Sequence, residues 1–249
     1  MKTGILQLFL LSLIASFSAY PTDIVVEYYQ KPPYIYTERA QPAGFLNERT
    51  AIILNAAQLS FRYADVPAKR IFHDLKLNQK QICSPSWYKI PEREVFAQFS
   101  LPIHQDKPHT VLVAERVFEH AKEHTTLASL LSDSRFKLGA VANVSYGEHL
   151  DSVIQGLNYS VTREAKSVES LTLMVAMGHG ADFMFIDQHD YSYLNRDGEL
   201  TNRDLKLLSL VDMPEGMKRY LMCSKKVAPQ TMEKINQAIL ALESSWKNS

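Results

Sequence analysis

Only two cysteines occur in the 249 residues, Cys83 and Cys223. That is too few for a disulfide scaffold, although an even count permits one bridge in an oxidising compartment. Charge of one sign is not in excess either: 27 basic residues face 27 acidic ones, which gives a nucleic-acid or anionic-membrane partner no electrostatic support. Beyond the first twenty residues no run reaches the ~20 apolar residues of a membrane span. A metal-binding set is missing as well, since the nearest spacing, His120 and His124 on one predicted helix, has no third ligand. Glu27 and His104 are acid–base candidates, but no nucleophile–base pair accompanies them. These absences predict no metal, no cofactor and no enzymatic activity.

What is present begins with a leader. Lys2 precedes an apolar stretch over residues 5–17, interrupted only by Gln7, Ser12 and Ser16. The stretch is too short to span a bilayer and reads as a secretory signal over residues 1–19, with Ser16 and Ser18 supplying the small residues that cleavage needs and the mature chain starting at Ala19 or Tyr20. A membrane anchor is the alternative. With no cysteine near the cut, a lipoprotein is not expected, and the predicted location is the periplasm.

Two α/β units follow one another. A β-branched and aromatic run at 23–29 predicts a strand, helical spacing a helix over 47–60, then a strand at 61–66, a helix at 68–78 and a strand at 81–85. The same grammar returns with strands at 136–142, 159–163 and 181–186 and helices at 146–155 and 168–177. Such alternation predicts mostly parallel sheets flanked by helices. Two extended apolar stretches, 110–114 and 219–223, flank the second unit, and the apolar stripe of a last helix over 230–246 needs a sheet to cover. The layout expected is a first lobe from 20–109 with 222–249, a second lobe from 110–221, and a hinge of those two stretches.

Several motifs resemble one family. Lys89-Ile90-Pro91-Glu92-Arg93 with Phe99-Ser100-Leu101-Pro102 is similar to the signature of the family 3 extracellular solute-binding proteins. Pro33-Tyr34, Gly44-Phe45, Gly180-Ala181-Asp182 through Ile186-Asp187, and 220–225 match further landmarks in the family's order. The resemblance implies a type II periplasmic binding protein: a two-lobed monomer with a two-strand hinge that closes on a small polar ligand, carboxylate-bearing, for an ABC permease. A sensory module reporting to a membrane receptor, or a dehydratase-like enzyme on the same fold, are the alternatives.

The resemblance also assigns residues. Arg93 offers a planar fork to a carboxylate and Asp187, at a strand end of the other lobe, an acceptor to a ligand ammonium; Asp187 is equally a residue type that caps helices. Tyr29, Tyr34, Trp87 and Tyr88 are expected to wall the cleft, Arg70 to reach it, and Ser145 to donate from the turn 143–146. Ile90 and Tyr88 stand where the family has small hydroxyl residues and Val144 where it has glycine, which points to a ligand with an apolar portion. Cys83, before the Arg93 motif, and Cys223, on the returning strand beside it, are expected to form a disulfide, two buried thiols being the alternative.

Overall fold

In the computed structural model every residue of β1 (Ile24–Tyr28) is buried, because the strand runs through the middle of a sheet covered on both faces. Ile24, Val26 and Tyr28 join one apolar core and Val25 a second on the opposite face, as strand alternation requires. The structure describes residues 23–142, 144–159, 161–196, 200 and 204–246; the leader read over 1–19 lies outside them, as does Asn143.

After β1 come the hairpin β2 (Tyr36–Glu38) and β3 (Gln41–Ala43), α1 (Phe45–Ala56), β4 (Phe61–Asp65), α2 (Ala68–Leu77), β5 (Ile82–Tyr88), α3 (Pro91–Glu94) and β6 (Ala97–Gln105). The second unit holds β7 (Thr110–Ala114), α4 (Glu115–Ala121), α5 (Leu127–Ser132), β8 (Leu138–Gly139), α6 (Glu148–Gln155), α7 (Val168–Met177), β9 (Phe183–Ile186), α8 (Gln188–Leu194) and β10 (Leu205–Leu208). The chain then returns as β11 (Lys218–Ser224) and α9 (Pro229–Trp246). Among the described residues one sheet has the order β4-β1-β5-β11-β6 and the other β10-β7-β9-β8. β1 is parallel to β4 and β5, whereas β11 is antiparallel to both its neighbours. α9 lies over the first sheet with α1, adding Met232, Ile235 and Ile239 to that core.

Two expectations are altered, on the hinge and on the stretch 159–163. Residues 110–114 and 219–223 are both strands, but each is hydrogen-bonded inside a sheet, β7 between β10 and β9 and β11 between β5 and β6. The chain therefore passes between the sheets in the segments flanking those strands, 106–109 and 209–217, and residues 218–221 belong with the first sheet. Residues 159–163 make no strand beyond a single bridge, Gly139 to Thr162; Tyr159 and Val161 pack against the core beside β8 without a ladder. The motif at 99–102 is part of the long strand β6.

The two crossing segments are pressed together. The Asp106 N–H donates to the Met217 carbonyl at 3.0 Å, and a Cβ added to Gly216 would lie 1.9 Å from the Asp106 carbonyl oxygen, so glycine is the residue that permits this approach. Gly44 does the same at α1, where φ is +97° and a Cβ would meet the Tyr34 carbonyl oxygen at 2.5 Å. That contact docks the loop 31–35 on the start of α1, with Leu46 N–H donating to Tyr34 O at 2.9 Å. Cys83 and Cys223 are register partners on β5 and β11 and form a disulfide with S–S 2.06 Å.

Candidate functional site

Strands β1 and β5 of the first sheet and β9 of the second point their C-terminal ends at one cavity of about 350 Å³, the place where open α/β sheets bind ligands. Tyr29 and Lys31 follow β1, Trp87 and Tyr88 end β5, and Arg93 comes from α3. The opposite wall carries Phe185 and Ile186 of β9, then Asp187, Asp190 and Tyr193 at α8. His109 enters from a crossing segment, and Lys166, Ser167 and Glu169 form part of the rim.

Trp87 is held by an Nε1–H bond to Ser84 Oγ (2.8 Å) and packs on Tyr29, ring centroids 5.2 Å apart. The Arg93 guanidinium lies over the Trp87 ring at 5.1 Å and donates through Nη1 to the Tyr88 carbonyl at 2.7 Å. Burial lowers its pKa from the ordinary arginine value, which leaves it a cation. Among the described residues no acceptor meets its other nitrogens, so a donor edge remains for an anion.

Asp187 is buried, and its Oδ1 accepts from the backbone N–H groups of His189 (2.8 Å) and Asp190 (2.9 Å). It thus caps α8 as well as lining the cavity. Burial opposes its charge, but hydrogen bonds from Asp190 and the nearby Lys31 ammonium outweigh that and hold its pKa down to about 2. Burial and the adjacent Asp187 charge push Asp190 up to about 8, since a second charge beside the first is disfavoured.

The residue that organises the first-lobe wall is one the sequence reading placed in a hinge. Arg219 is 3% exposed. Its Nε donates to Asp106 Oδ1 at 2.7 Å, Nη1 to the Ser86 carbonyl and hydroxyl at 3.2 Å each, and Nη2 to the Tyr88 hydroxyl at 3.0 Å. Tyr88 in turn donates to Asp106 Oδ2 at 2.7 Å. Ser86 has φ +74°, a left-handed conformation that costs a non-glycine residue on the order of 1–2 kcal/mol, beside a register shift between β5 and β11. Tyr34 is fully buried beneath this wall, with Arg219 Cζ 4.3 Å and Lys31 Nζ 4.4 Å from its ring centroid.

Not every expected residue faces the cavity. Tyr34 lies below the lining. Arg70 donates through Nε to both Asp74 carboxylate oxygens at 2.8 Å, with its side chain 58% exposed, and stands outside the cleft on α2. Ser145 lines the cavity, but its hydroxyl is bonded to the Asp151 carboxylate. The sequence reading missed Lys31, Asp106, Asp190 and Arg219; the available signal was a lone arginine opening an otherwise apolar strand.

A second contact joins the lobes beside the cavity. His189 of α8 stacks on Phe45 of α1 at 4.8 Å and meets His104 of β6 at 5.2 Å. His104 is pushed down to about 4, chiefly by burial, with Asp106 opposing and His189, Arg49 and Arg219 adding to the shift. Between pH 6.5 and 4 the unfolded chain therefore binds the proton more readily, and stability is lost as pH falls through that window. Urea unfolding at pH 7 and pH 5 should show His104→Gln losing about 1–2 kcal/mol less than the parent, at 1.36 kcal/mol per unit; equal losses would show that His104 is not the group responsible.

Among the described residues no group of three His, Cys, Asp or Glu side chains is placed to hold a metal, and no helix is long and apolar enough to cross a membrane. No protein-family model matches the chain, and no curated protein matches it in sequence. Solved structures do. The arginine-, lysine-, histidine-binding protein ArtJ of Geobacillus stearothermophilus is 15% identical, with a TM-score of 0.65 over 91% of each chain. The VFT2 domain of BvgS from Bordetella pertussis is 16% identical, TM-score 0.67, covering 90% of this chain and 88% of its own. The GluR0 ligand-binding core from Nostoc punctiforme, solved with L-glutamate, is 15% identical, TM-score 0.64, covering 89% and 93%. At these identities the likeness is one of fold.

Proposed function

We propose that this chain, which has the two-lobed fold of the type II periplasmic binding proteins, is a periplasmic solute-binding protein that closes on a small carboxylate-bearing ligand, an amino acid or a related compound, for import by an ABC permease. The observation that carries the reading is the Arg93 donor edge, set over Trp87 in a cavity whose walls come from both sheets. A carboxylate seated there exchanges water for a charge-assisted bond, while second-lobe residues complete the enclosure only when the cleft is shut. Ligand then raises the population of the shut state. A solved protein of this fold named for binding arginine, lysine and histidine, and one solved with L-glutamate, lend support, and the location rests on reading residues 1–19 as a secretory leader. A sensory module is the second reading, favoured by the likeness to a histidine kinase sensor domain, 17% identical with TM-score 0.65; in that case the shut state is handed to a receptor and not to a permease.

A thermal-shift panel of amino acids and organic acids should yield a ligand that raises the melting temperature without being turned over. Arg93→Ala should then weaken that ligand by at least about 30-fold, since removing one partner of a buried charged pair costs about 2 kcal/mol or more. A folded Arg93→Ala protein with unchanged affinity would remove the anion site.

A further inference from the structure

Two of the cations around the cleft differ in what they still have to offer. All three nitrogens of the Arg219 guanidinium are consumed by Asp106, Ser86 and Tyr88. Lys31 shares the Tyr34 ring with Arg219, its Nζ 4.4 Å from the centroid, yet among the described residues its ammonium has no hydrogen bond or ion pair. The loop that carries it is fixed by backbone bonds, Lys31 N–H to Ile35 O at 2.7 Å and Ile35 N–H to Lys31 O at 3.0 Å, and by the docking of Tyr34 against Gly44. Lys31 is therefore presented to the cavity from a rigid base. Burial lowers its pKa from the ordinary lysine value and Arg219 adds to the shift, while Asp190 and Asp187 of the second lobe and Asp106 of the crossing segment oppose it and favour the ammonium. In an amino-acid site a carboxylate of this kind awaits the ligand's ammonium; here a protein ammonium already stands within its field.

Building on the solute-binding reading, we propose that Lys31 determines specificity: it supplies from the protein the positive charge that answers Asp187 and Asp190, and the cleft selects a small carboxylate that has no amino group. Charge supports the choice. Lys31, Arg93, Lys166 and Arg219 are four cations lining the cavity. Against them stand Glu169, Asp187 and, behind Arg219, Asp106, while burial and the adjacent Asp187 charge disfavour the charged form of Asp190. The lining leans positive, which favours a ligand of net negative charge. A zwitterionic amino acid brings no net charge and sets its ammonium against Lys31. Tyr29 and Trp87 give the rest of such a ligand an apolar wall.

Matched pairs test this by isothermal titration: 3-phenylpropionate against phenylalanine, and glutarate against glutamate. The parent protein should bind the amino-free member of at least one pair about tenfold or more tightly. Lys31→Met, which keeps the side chain's length against Tyr34, should lose that preference or reverse it, and Lys31→Arg should keep it. Amino acids bound as tightly as their amino-free partners, or a preference unchanged in Lys31→Met, would overturn the assignment of Lys31 and leave the solute-binding reading standing. No binding of either kind of carboxylate by the folded parent would overturn both.

Discussion

Asp106→Ala is expected to destabilise the protein by about 3–5 kcal/mol, the usual cost of stranding one member of a buried ion pair. Asp106 and Arg219 are each 3% exposed, and the carboxylate answers both Arg219 Nε and the Tyr88 hydroxyl at 2.7 Å. Burial opposes the Arg219 charge, yet Tyr88 and Asp106 together hold its pKa above the ordinary arginine value. Arginine stays protonated at any working pH, so when its partner is removed the protein must carry the buried charge unanswered. The melting temperature should fall on the order of 10 °C, at about 2–4 °C per kcal/mol for a chain of this size. A double replacement, Asp106→Leu with Arg219→Met, removes both charges and should recover most of the loss. If the single change proves as mild as the double one, the pair is not the support of the cleft wall that its geometry makes it.

Loss of the disulfide is the other large effect expected. Cys83 and Cys223 are separated by 140 positions, and the whole second sheet lies between them in sequence. Chain-entropy reasoning assigns about 4–5 kcal/mol to closing a loop of that size. Cys83→Ala with Cys223→Ala, or reduction of the parent protein, should lower the urea midpoint accordingly, and reductant should have no effect on the double variant. The bond joins adjacent strands buried in the first core, so the cavity itself should keep its shape and its ligand. Two free thiols in the denatured, unreduced parent would show that the bridge does not form.

Local elements were legible where one physical signal dominated. α7 falls on the predicted residues 168–177, since Ser167 makes a capping box with Ser170 and Gly178 ends the helix in the left-handed region. The stretch 159–163 misled because Tyr159 and Val161 alternate toward the core as strand residues do, while β8, only two residues long, offers a single bridge and no ladder. Residues 110–114 and 219–223 are as extended as the sequence suggests, but extension does not say which sheet a strand enters; that depends on partners more than 60 residues away. The same reason separates the site residues. Tyr29, Trp87, Tyr88, Arg93 and Asp187 line one cavity. Lys31, Asp190 and Arg219 gain their roles only through fold-back, when β11 returns beside β5 and α8 faces the loop 31–35. Arg70 looked available because a helix after a strand end often reaches a cleft, but Asp74 four residues on holds it to the outer face of α2.

The central claim, that two lobes shut on a carboxylate, is tested most directly by small-angle scattering of the protein with and without the tightest carboxylate of the panel. His189 of the second lobe meets Phe45 and His104 of the first, and ligand should raise the population in which the lobes are drawn together. The radius of gyration should therefore decrease on saturation, and the decrease should be absent in Arg93→Ala at the same ligand concentration. An unchanged radius of gyration in the saturated parent protein would contradict the account.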